Sequence, residues 1–67
     1  EAGKVLDAIR TLPESQREVL LMIKVSDMSV EDVARATGSS AAAVKQKAYR
    51  AYQNVRKMLA RANEKND

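Results

Sequence analysis

From Ala41 to Ala62 the chain reads AAAVKQKAYRAYQNVRKMLARA, in which Val44, Ala48, Ala51, Val55, Met58 or Leu59, and Ala62 recur at steps of three and four. That period lines them along one side of a helix and turns the side toward a core. The stretch contains no Gly, no Pro and no acidic residue, so nothing interrupts a helix over 41–62. Opposite the apolar side, at about 100° per residue, fall Ala42, Gln46, Tyr49, Arg50, Gln53 and Lys57, with Lys45 and Lys47 on the flanks. The polar side of this helix carries only positive charge.

Three shorter helices precede it. Val5, Leu6 and Ile9 share a face that Leu12 continues, which predicts a helix over 4–11. Pro13 disfavours a helical residue before it and suits a first helical turn, so Leu12-Pro13 ends one helix and starts the next, over 13–25. In that second helix Val19, Leu20 and Ile23 form the core-facing set, and Leu21 or Met22 is left partly exposed as a candidate docking surface. Ser26-Asp27-Met28 is a short loop. Ser29 then opens a helix over 30–37, with Asp32 placed three residues on, close to a capping box, and Val30, Val33, Ala34 and Thr37 at helical spacing. Gly38 suits the left-handed residue that stops a helix, and Ser39 or Ser40 caps the next one. Two helices joined by so short a Gly-containing turn form a helix-turn-helix. The polar run after Ala62 is expected to fray over 63–67.

Composition narrows the chemistry. Sixty-seven residues are enough for one small domain, and a start at Glu1 in place of Met reads as a piece of a longer protein. With two Tyr as the only aromatics, the core must come from Leu, Val, Ile, Met and Ala, which suits packed helices. There is no Cys and no His for nucleophile, general-base or metal work, and the carboxylates are scattered along helix starts, where capping and dipole roles explain them; no catalytic residue, metal site or cofactor is assigned. Glu31 and Asp32 are adjacent and diverge around a helix, which makes capping a better account of them than paired acid-base work. No apolar run has the length of a membrane span, so membrane insertion is not expected.

The distribution of charge says more than the net value of +3. Residues 1–39 hold five basic and seven acidic side chains, a net of −2, whereas residues 40–62 hold six basic and none acidic. A basic helix on a mildly acidic body points to a directed polyanion-binding surface. A helix that starts directly after a tight turn exposes its first residues, and the major groove admits one helix. Ser40 lies at that start, beside free amides that favour a phosphate. Ala42 and Ala43, with Ala41, permit close approach; Lys45 and Lys47 reach phosphates on either wall. Gln46 suits adenine, Arg50 guanine or phosphate, and Tyr49 a stacked base, a thymine methyl or a phosphate, with Gln53 extending the same face. Any one of these alone would be ordinary solvated helix surface; the acid-free run and the Gly turn make them a group. Arg56, Lys57 and Arg61 lie too far along to share one groove with Ala41. Tyr52 sits at the edge of the apolar side and is expected to pack there.

The stretch LPESQREVLLMIKVSDMSVEDVARATGSSAAAVKQKAYRAYQNVRKML resembles region four of bacterial RNA polymerase sigma factors, especially the extracytoplasmic-function group. Leu12, Pro13, Arg17, Val19 and Leu20 match that family's Leu-Pro-x-x-x-Arg-x-Val-Leu opening. Ser29, Val33, Ala34, Gly38 and Ser40 match its helix and turn, and Val44, Lys45, Arg50, Ala51 and Arg56 match its recognition helix. Ala42 and Ala43 stand where Gly-Thr is usual, Lys47 where an arginine is, and Tyr52 where a basic residue is frequent. The resemblance implies an all-α, four-helix helix-turn-helix domain spanning 1–67, with a long C-terminal recognition helix that binds the −35 type promoter element in the cytoplasm. It also implies an apolar groove that holds the beta-subunit flap of RNA polymerase core, and an anti-sigma factor as a further partner. A sigma-like module that mainly binds protein, or a response-regulator-type activator, shares part of the pattern.

Overall fold

Pro13 sets the first boundary. The computed structural model describes the backbone of residues 2–65 and the side chains of residues 3–61. Helix α1 spans Ala2–Arg10, and Pro13, with φ −53° and ψ 147°, caps the start of α2, which spans Glu14–Lys24. The proline thus precedes the helix instead of lying in its first turn, and its carbonyl accepts from the Arg17 amide at 2.9 Å. The Arg17 guanidinium reaches back to the Arg10 carbonyl at 3.2 Å and covers an open end of α1. Thr11 closes the same end by donating from its hydroxyl to Ala8 O at 2.8 Å.

Helix α3 spans Val30–Thr37 and α4 spans Ala41–Lys65. Ser29 caps α3 by accepting from the Asp32 amide at 3.1 Å. Gly38, at φ +68°, ends α3, and the amides of Gly38 and Ser39 both donate to Ala34 O. Between α2 and α3 the turn is made by Asp27 at φ +56°, and the Met28 amide returns to Met22 O at 3.0 Å. Helix α4 continues three residues past the expected end at Ala62, and Asn66 and Asp67 lie outside the described residues. Asn63, Glu64 and Lys65 are polar but break no backbone hydrogen bond, so their polarity does not end the helix.

Every other helix packs on α4, and α2 also packs on α3. The buried residues form two clusters. Val19, Val33, Val44 and Ala48 join α2, α3 and the first half of α4; Leu12, Leu20 and Ala51 join the α1–α2 corner to its middle. Half-buried Tyr52 touches both. The small side chains of Ala48 and Ala51 let α4 approach its neighbours closely, and a hydrogen bond from Asn54 Nδ2 to Gln16 Oε1 at 3.0 Å ties α4 to α2. Among the described residues no buried side-chain nitrogen or oxygen lacks a partner.

Two core assignments differ from the pattern. In α1 the buried residue is Ala8, while Leu6 is 51% exposed and Val5 lies at the surface. Half-buried Ile9 packs beside it against the Leu12–Leu20–Ala51 cluster, so of the expected apolar face only Ile9 and Leu12 reach the core. In α2, Ile23 is half-buried beside fully buried Val19 and Leu20.

Candidate nucleic-acid interface

The turn at Gly38 and the cap at Ser40 fix where α4 begins. Ser40 Oγ accepts from the Ala43 amide at 3.1 Å, and Ser40 O accepts from the Val44 amide at 3.0 Å. Val44, fully buried against Val19 and Val33, then sets the rotation of the helix. With Val44 inside, Ser40, Ala42, Lys45, Gln46, Tyr49, Arg50 and Gln53 all come to the surface. Ala43 and Lys47 are half-buried at the border of this face. Tyr49 is 63% exposed, a large aromatic with no core partner. Gln53 Nε2 donates to its phenol oxygen at 2.9 Å.

The electrostatics of this face are one-sided. The ion pairs among the described residues, Arg10 with Asp7 and Arg35 with Asp32, lie on α1 and α3. None draws on the cations of α4. The Asp32 carboxyl is held below its ordinary value, first by a hydrogen bond from the Ser29 hydroxyl; desolvation opposes this as the next largest effect, and Arg35 and the Ser29 amide add to the lowering. That carboxylate belongs to the α3 cap, and α4 itself carries no acidic side chain from Ala41 to Ala62.

A second feature is an apolar groove between α1, α2 and the later part of α4. Val5, Ile9, Leu21, Val25, Tyr52 and Val55 line it, with Lys24 and Arg56 at its rim. Lys24 Nζ lies 5.4 Å from the Tyr52 ring centroid, over its face. Tyr52 therefore forms groove wall and core boundary at a position where the resemblance leads one to expect a cation. Of the two candidate docking residues, Leu21 lines the groove, whereas half-buried Met22 packs against the Val19–Val44 cluster. Adjacent helix positions diverge, so one pair cannot serve one surface. Val25, 75% exposed, is the groove residue that the apolar pattern did not single out. Its exposure follows from its place just after the last turn of α2. The Asn54–Gln16 and Gln53–Tyr49 pairs were also not signalled, since polar partners on different turns or helices leave no periodic trace.

The family model for sigma-70, region 4, matches residues 2–55. The chain belongs to this family. Region 4 is a DNA-binding region of a transcription factor that works with RNA polymerase, and the matched span covers α1, α2, α3, the turn at Gly38 and α4 as far as Val55. Neither curated proteins nor solved structures give a match. As a region 4 domain the chain is all-α, with its helix-turn-helix formed by α3, Gly38–Ser40 and α4. No helix among its described residues is long and apolar enough to cross a membrane.

Proposed function

We propose that this region 4 domain recognises a −35 type promoter element and so positions RNA polymerase at the start of transcription, as part of an extracytoplasmic-function sigma factor acting in the cytoplasm. The observation that carries the reading is the exposed face of α4 from Ser40 to Arg61, which begins directly at the turn and holds no acidic residue. Ser40 and the amides around it meet a phosphate, with Ala42 and Ala43 allowing the backbone close. Lys45, exposed, and Lys47, half-buried at the border of the face, contact phosphates on the two walls of the groove. Gln46 and Arg50 read base edges, and Tyr49 and Gln53 extend the contact along the strand.

The groove supports the partner side of the proposal. A helix from the polymerase beta flap lays its apolar face against Leu21, Val25 and Val55, and Lys24 and Arg56 meet acidic residues at its edges. An anti-sigma factor competes for the same surface. A sigma-like module that binds protein alone would use this groove and leave the α4 face idle.

Fluorescence anisotropy with two duplexes separates these readings. One carries the AAC-type upstream element and the other a scrambled sequence. The proposal expects tighter binding to the first and a steep loss of affinity with salt. Binding to neither duplex, with retained binding of the flap, would establish the protein-binding module in its place.

A further inference from the structure

The exposed side of α4 holds one side-chain hydrogen bond that no cap or core packing requires, that from Gln53 Nε2 to Tyr49 Oη at 2.9 Å. Both residues are exposed, and they stand four apart, on adjacent turns. A phenol has one proton to give. With its oxygen already accepting from Gln53, that proton points elsewhere, and among the described residues Tyr49 donates to no protein group. In water such a bond contributes little. Pressed against a polyanion, the pair loses its water, and each hydrogen bond polarises the next.

We propose that Gln53 is a positioning residue, holding the Tyr49 phenol so that its hydroxyl donates to a backbone phosphate of bound duplex. The inference rests on the DNA-binding reading of α4 and assigns to Gln53 a role other than reading a base. Gln53 lies thirteen residues beyond Ser40, about 20 Å along the axis, past the first turns that enter the groove. Lys45, Tyr49 and Gln53 form one row at steps of four, headed by a cation that has no acidic partner among the described residues. Such a row suits the sugar-phosphate edge of the duplex. A hydroxyl donating to a phosphate makes a charge-assisted bond, stronger than one to a neutral base.

The test is a double-mutant cycle on the 67-residue chain, read as affinity for the promoter and scrambled duplexes. Tyr49→Phe is expected to lose roughly tenfold and Gln53→Leu about threefold, on both duplexes alike. The double variant should bind no more weakly than Tyr49→Phe. Because neither residue is charged, the dependence of affinity on salt should stay at the wild-type slope in all three. A scan of neutral methylphosphonate linkages should find one position at which Tyr49→Phe no longer matters. Since both side chains are exposed, melting temperatures should not change. Additive losses would show that Gln53 acts apart from Tyr49 and would overturn the proposal. So would a loss confined to the promoter duplex, which would make the contact a base contact. Failure of the wild-type chain to bind either duplex would instead remove the DNA reading itself, and this inference with it.

Discussion

Gly38 does its work through φ +68° alone, because a Cβ built there meets nothing within 4 Å. Gly38→Ala therefore costs only the left-handed backbone, about 1 kcal/mol, and Gly38→Asn costs less. Thermal melts of the two variants check this, and equal losses would point to a steric clash that the structure does not contain. The role of Gly38 was plain in the sequence, since a glycine after a helical period is a stop signal. The similar conformation of Asp27, at φ +56°, was not, because Ser26-Asp27-Met28 signals a loop but not its dihedral angles. Asp32 gives a pH dependence. Its carboxyl titrates near pH 4 in the unfolded chain and lower in the folded one, chiefly because the Ser29 hydroxyl bonds the ionised form. Its contribution is thus fully present above about pH 4 and is lost as pH falls through the depressed folded value. The gap in melting temperature between wild type and Asp32→Asn should be open at pH 7 and narrow toward pH 2. A gap that widens on acidification would refute the assigned cause.

Among the elements, α4 was the most legible. Its period put Val44, Ala48 and Ala51 inside, and all three are buried. Helix α1 was the least legible, since a nine-residue segment with three bulky apolar side chains allows more than one rotation, and burial of Ala8 follows from contacts with α4 that no local pattern encodes. The proposed division of labour along α4 makes its own prediction. Lys45→Ala and Arg50→Ala should each weaken duplex binding several-fold, and Lys45→Ala should also lower the salt slope by about one. Arg61→Ala, roughly 24 Å farther along the axis than Lys45, should do much less. Equal losses from all three, measured by anisotropy at several salt concentrations, would mean diffuse attraction without a docked helix.

For the molecule as a whole, the fold gives α4 two separate surfaces. Its exposed face from Ser40 to Gln53 is free of the core, while Tyr52, Val55 and Arg56 turn toward the groove with α1 and α2. The basic helix and the acidic body were visible as counts along the chain. The groove was implied by the resemblance but not by the residue pattern, because it is assembled from three helices and its walls resemble ordinary core positions in each. If DNA and polymerase flap bind these separate surfaces, Val25→Asp should abolish flap binding and leave both melting temperature and duplex affinity near wild type. Val25 is mostly exposed, so the substitution buries no charge. Loss of both ligands together would show that the surfaces are not independent.

Entry of the first turns of α4 into the promoter groove is the step on which every other proposed contact depends. A two-dimensional NMR titration of the labelled chain at low salt tests it most directly, with the promoter duplex and its scrambled counterpart. Docking of these turns predicts shifts concentrated from Gly38 to Gln53, larger for the promoter duplex, with Leu21 and Val25 unmoved. Shifts centred on the groove, or none with either duplex, would contradict it.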